Sequence, residues 1–172
     1  MSFSRIFSSA VSSFALVAIP AYGQVDESAL KAAYIFNFTE FTTWPSVTLA
    51  DAALYVCVDK ATTLGIALSK LDGKTFGGRS WAVRALTPNE GVEKCNVVVL
   101  ESDGPMSRQL KDVTSSKQAV LVISDFDMGD QIPVIRLFTD DGHLRFDIDN
   151  QQALRRHLLL SSKLLRLARS VL

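Results

Sequence analysis

Histidine and cysteine are scarce: His143, His157, Cys57 and Cys95 are the whole supply in 172 residues. Two cysteines cannot by themselves build a multi-cysteine zinc site, and only those two histidines could add imidazole, so neither a structural zinc nor any other cofactor is expected. Net charge is also missing, because 18 Lys and Arg balance 18 Asp and Glu. Nucleic acid is therefore an unexpected partner, since phosphate binding draws on a surplus of clustered cations. Catalytic signatures are absent as well: there is no G-x-S-x-G turn, no H-E-x-x-H pair, no G-x-x-x-x-G-K loop and no G-x-G-x-x-G. What the chain has is apolar mass. Hydrophobic residues make up 48% of it, which excludes general disorder and suits one domain around one core.

The opening MSFSRIFSSAVSSFALVAIPAYG carries one charge, Arg5, then an apolar stretch broken by serines and strongest from Phe14 to Ile19, then Pro20 and the small-residue pattern Ala21-Tyr22-Gly23. This reads as a secretory signal peptide over residues 1–23, cut before Gln24, with one mature domain over 24–172. A membrane-spanning helix needs roughly 20 mostly apolar residues, and this run is shorter and interrupted. No later stretch is long and apolar enough, so the domain is expected to be exported without inserting into the membrane, to the periplasm if the source is a double-membraned bacterium and otherwise to the exterior.

From Asp26 the apolar positions Leu30, Ala33, Tyr34, Phe38 and Phe41 fall three and four apart. They predict an amphipathic helix capped by Asp26 or Ser28 and ending before Trp44-Pro45. Ala53–Val58 is a strand candidate, Ala61–Leu71 returns to helical spacing, and Gly77-Gly78 is explained by a turn. Further strands are expected at Trp81–Leu86, Asn96–Leu100 and Ala119–Ile123, with a short helix over Ser107–Val113. Pro133–Thr139 and His143–Ile148 flank Asp141-Gly142, whose positive backbone angles suit a tight hairpin. Gln151–His157 and Leu158–Leu172 read as helix, the second with a stripe of Leu160, Leu164, Leu167 and Val171. The alternation predicts an α/β class: a layered α/β/α domain whose mainly parallel sheet ends in an antiparallel hairpin, followed by C-terminal helices.

Few polar constellations stand out. Asp125, Asp127, Gly129 and Asp130 alternate like a calcium loop, but the twelfth position is Arg136 where a bidentate Glu is required, so a solvated turn is expected. Asp147 and Asp149 share a strand face without a second catalytic element, which favours a structural or partner-facing role over an enzyme. Charge is uneven along the chain: residues 101–150 hold ten acidic and five basic side chains, whereas 151–172 hold five basic and none acidic. Arg155, Arg156 and His157 are a candidate ligand-binding cluster, since two guanidiniums beside an imidazole can hold a small anion such as a nucleotide. Lys163, Arg166 and Arg169 recur every three residues along the expected last helix. With Arg145 of the hairpin they are candidate partner contacts, although a solvated face near a helix C-terminus accounts for them too.

Cys57 and Cys95 form an even pair. In an oxidising compartment a disulfide is the first hypothesis, with two buried free thiols as the alternative. Such a bridge would contribute roughly 4 kcal/mol on the chain-entropy account. If their strands start in register, however, the two residues stand roughly 13 Å apart, so a bridge demands a register offset or another strand pairing.

Three stretches together resemble one family. Lys31-Ala32-Ala33-Tyr34-Ile35-Phe36-Asn37-Phe38 runs on to Trp44-Pro45; Cys57 is joined by Cys95 ahead of an apolar strand; and Arg145-Phe146-Asp147-Ile148-Asp149 leads to Ser161-Ser162-Lys163-Leu164-Leu165-Arg166-Leu167-Ala168-Arg169. In order and spacing they resemble the YfiR family of exported bacterial proteins, although Asp149 stands where Asn is commoner. The resemblance implies a compact α/β periplasmic regulator, able to form a homodimer, with a Cys57–Cys95 disulfide. Its implied partners are the periplasmic domain of an inner-membrane diguanylate cyclase, whose cyclic di-GMP synthesis and biofilm output it restrains, and an outer-membrane lipoprotein. The competing expectation from the residues alone is a periplasmic small-ligand receptor using Arg155, Arg156 and His157.

Overall fold

The computed structural model describes residues 26–45, 53–86, 92–101, 118–129 and 133–172. The expected signal segment 1–23, its cut before Gln24 and the expected helix Ser107–Val113 lie outside the described residues. Helix α1, Glu27–Glu40, starts where the Asp26 carboxylate accepts the Ser28 N–H at 3.0 Å. Its buried face is Ala32, Ile35, Phe38 and Thr39, whereas Ala33 of the expected stripe is exposed. Two aromatic rings explain the rotation. Phe36 meets Trp81 edge-on at 5.2 Å and Tyr34 meets Phe146 at 6.2 Å. At roughly 100° per residue, seating rings at both 34 and 36 centres the face on Ile35.

The main sheet has the order β10-β8-β7-β6-β5-β2-β4-β3. Its strands are β2 Ala53–Val58, β3 Thr75–Phe76, β4 Arg79–Ala85, β5 Val97–Leu100, β6 Leu121–Ser124, β7 Ile135–Asp140, β8 His143–Ile148 and β10 Ser170–Val171. Pairings β2–β4, β2–β5, β5–β6, β6–β7 and β8–β10 are parallel, while β3–β4 and β7–β8 are antiparallel. This is the expected mixed α/β fold, mainly parallel with a closing hairpin. Both hairpins turn on two residues with positive φ: Gly77 (53°) and Gly78 (79°) in one, Asp141 (48°) and Gly142 (70°) in the other.

Alternation across the strands divides the interior in two. One face carries Leu54, Val56, Trp81, Val97, Leu121, Ile123, Ile135 and Ile148, covered by α1 and by helix α2, Thr63–Ser69. The other holds a smaller cluster of Cys57, Leu86, Cys95, Val98, Leu100, Val120 and Val122. Here Cys57 and Cys95 form a disulfide with a Cα separation of 5.8 Å. The distance objection fails because the strands do not start together. Val97 lies opposite Val56, in the middle of β2, and Cys95 leaves a 3₁₀ turn, Val92–Lys94, with its N–H on the Val92 carbonyl at 2.9 Å.

The C-terminus departs most from the pattern. Helix α3 spans Asn150–Arg155, capped by Asp149, whose carboxylate accepts the Gln152 N–H at 2.8 Å. The single helix expected over Leu158–Leu172 is instead strand β9, Leu159–Leu160, then helix α4, Ser162–Leu167, then β10. β9 pairs antiparallel with β1, Thr42–Thr43, just after α1. Backbone satisfaction accounts for the break. The Ser161 N–H donates to Phe41 O at 2.9 Å, and the Arg169 and Leu172 N–H groups donate to Phe146 O and Ile148 O along the otherwise open edge of β8.

Candidate functional site

The hairpin β7–β8 sets Arg136 directly opposite Asp147, and β10 sets Ser170 beside Asp147. Residues two apart share a strand face, so Arg136, Phe138, Arg145 and Asp147 all lie on the side away from α1. Asp147 accepts from Arg136 Nη2 at 3.1 Å, and it takes the Arg169 fork at both oxygens, Nε at 2.9 Å and Nη2 at 2.6 Å. The Phe138 ring sits near both guanidiniums, 5.2 Å from Arg136 and 4.2 Å from Arg169. Burial would raise the Asp147 carboxyl, but hydrogen bonds and charge from Arg169 and Arg136 outweigh it and hold the group below its ordinary range. Asp147 is thus locked as an anion, which serves architecture and leaves no free base.

A shallow pocket of about 150 Å³ opens beside this network, lined among others by Asp127, Met128, Pro133, Arg136, Asp149 and Leu172. Its one guanidinium is already engaged, since Arg136 also reaches Asp127 at 3.6 Å. Asp125 pairs with Lys31 at 3.1 Å and Asp127 accepts the Gly129 N–H at 2.9 Å, as a turn requires; Asp130 lies outside the described residues. Among the described residues no group of three His, Cys, Asp or Glu side chains is placed to hold a metal ion.

The remaining candidate residues separate. Arg156 is buried at 3% exposure, and burial pushes its guanidinium below its ordinary range, while Arg155 and His157 are exposed. His157 adopts a positive φ of 58° where α3 ends. Lys163 and Arg166 are exposed on α4, Lys163 lying 5.0 Å over the Phe41 ring, whereas Arg169 lies beyond that helix. Arg145 is exposed and 3.8 Å from Asp140. Sequence reasoning missed Arg136, although counting back from the Asp141-Gly142 turn pairs it with Asp147.

Sequence reasoning also missed the apolar character of this surface. Of the expected leucine stripe only Leu164 is buried. Leu154, Leu159, Leu167, Val171 and Leu172 are 45–68% exposed, all within the last 19 residues and interspersed with Arg155, Lys163 and Arg166. Scattered singly, exposed apolar side chains are ordinary; these five fall within 19 residues of chain.

The model of a protein family described as YfiR/HmsC-like matches residues 28–169, from the first turn of α1 to the Arg169 that binds Asp147. No curated protein gives a significant match.

Proposed function

Because this chain belongs to the YfiR/HmsC-like family, we propose that it is an exported regulatory protein that binds the periplasmic domain of an inner-membrane diguanylate cyclase and lowers cyclic di-GMP synthesis and biofilm formation. The observation that carries this reading is the set of exposed apolar side chains Leu154, Leu159, Leu167, Val171 and Leu172, with the exposed cations Arg155, Lys163 and Arg166 between them along the chain. A binding module needs such a surface and an enzyme does not. Lys163, Arg166 and Arg145 would rim the contact, and Arg169 would act through Asp147 by fixing β10. The disulfide supports the exported setting, because oxidising compartments favour such bridges. Among the described residues no helix is long and apolar enough to cross a membrane, so the signal would cross by protein contact.

Regulation then follows from differential affinity. A hundredfold preference for the inactive cyclase is about 2.7 kcal/mol, an ordinary coupling energy. An outer-membrane lipoprotein or a second copy of the chain competing for the same surface would relieve inhibition. Deleting the gene in a host that carries the cyclase should raise cyclic di-GMP, and unchanged levels would refute the reading. The alternative, a receptor for a small anion or nucleotide, would rest on the exposed Arg155 and His157. Saturable binding of nucleotides that weakens in Arg155→Ala would support it.

A further inference from the structure

Three carboxylates sit just past the carboxyl ends of three adjacent parallel strands: Asp59 after β2, Glu101 after β5 and Asp125 after β6. Between β2 and β5 the strand order reverses, so this is the switch point of the sheet. Thr62 stands there as the cap of α2. Its hydroxyl oxygen lies 3.0 Å from the Gly65 N–H, 2.8 Å from the Asp59 carbonyl oxygen and 2.5 Å from Glu101 Oε2.

A hydroxyl has one proton and two lone pairs. The Gly65 N–H can only donate to it, and the Asp59 carbonyl can only accept from it. With Glu101 ionised, two acceptors compete for one proton, and one is left facing an oxygen without hydrogen between them. With Glu101 protonated, every contact is satisfied: the acid donates to Thr62, Thr62 donates to Asp59, and Gly65 donates to Thr62. We propose that Glu101 carries a proton in the folded protein, and that this proton fastens the start of α2 to the end of β5 as a pH-sensitive latch.

The groups facing Glu101 agree. Asp59 and Asp125 oppose a further negative charge, and Asp125 Oδ1 is itself buried without a hydrogen-bond partner. Lys31 of α1 is the one facing cation among the described residues, and it is engaged by Asp125 at 3.1 Å and Glu27 at 3.2 Å. Burial foremost, then Asp125 and Asp59, raise the Glu101 carboxyl above its ordinary range against the opposing pull of Lys31 and of any donation from Thr62. The nook has no slack: a Cβ at Gly65 would fall 1.9 Å from the Asp59 carbonyl oxygen. A carboxyl raised in the fold adds stability that is complete below its unfolded value and is lost as pH rises through the folded one. The latch therefore opens as pH rises through that folded value, releasing the first turn of α2, which meets α1 through the Ser28–Thr63 hydroxyl pair at 3.2 Å.

Carboxyl-carbon NMR of the full chain through a pH titration reads Glu101 directly. The expected midpoint lies above that of an unstructured glutamate, and Thr62→Ala shifts it downward because the acceptor of the acid proton is gone. A wild-type midpoint at or below the unstructured value overturns the proposal, as does a midpoint that holds or rises in Thr62→Ala. Should Thr62→Ala fail to fold, Glu101→Gln decides, since its amide keeps a donor at every pH. Its thermal midpoint should hold as pH rises through the wild-type Glu101 titration midpoint while the wild type loses stability, and a parallel loss in both proteins would refute the latch.

Discussion

Valine and leucine meet opposite fates in two regions of this molecule. In β5 and β6 every residue is buried, on both faces of the sheet, whereas in the last 19 residues five large apolar side chains are 45–68% exposed. The central strands are paired on both sides and covered, so their apolar area is consumed by folding. The tail buries Leu158 and Leu164 in the large cluster and is otherwise held through backbone bonds and one carboxylate: β9 on β1, β10 on β8, Arg169 on Asp147. Leu154, Leu159, Leu167 and Leu172 stay exposed and contribute little to that core.

That contrast can be broken from either end. Trp81→Ala, which empties the fully buried centre of the large cluster, should cost about 3–5 kcal/mol in denaturant unfolding. A cost below about 1 kcal/mol would remove the centre's claim to carry stability. Replacing Cys57 and Cys95 together by Ala should cost about 2–4 kcal/mol, because the smaller cluster relies on its bridge across 38 residues. Asp147→Asn should cost less than the bridge but change the acid limb of the stability profile. A carboxyl held below its ordinary range contributes above the unfolded value and loses that contribution as pH falls through the folded one, so the variant's thermal midpoint should be less sensitive to acid. The smallest effect is expected where exposure is greatest: Leu159→Ser with Leu167→Ser should leave stability within about 0.5 kcal/mol of wild type. A large loss there would make the tail part of the core.

Local chemistry carried much of the fold into the sequence. Asp26 as a cap, Asp141-Gly142 as a turn and the apolar runs of β2, β5 and β6 need only neighbouring residues to be read. Tertiary competition hid the rest. The face of α1 depends on where Trp81 and Phe146 lie, and the tail's helical spacing yields to the open edge of β8, which no local pattern announces. The three-residue spacing of Lys163, Arg166 and Arg169 was visible, but their separation was not, because α4 ends at Leu167. The Thr62–Glu101 contact joins residues 39 apart through strand order alone.

The central claim is that the exposed tail meets the periplasmic domain of a membrane cyclase. Affinity capture from the host's own membranes, with wild type beside a Leu159→Asp, Leu167→Asp variant of unchanged fold, tests it most directly. The account predicts that wild type retains a membrane protein bearing a cytoplasmic cyclase domain and that the variant loses it. Equal retention by both, or no cyclase retained by folded wild type in excess, would contradict it.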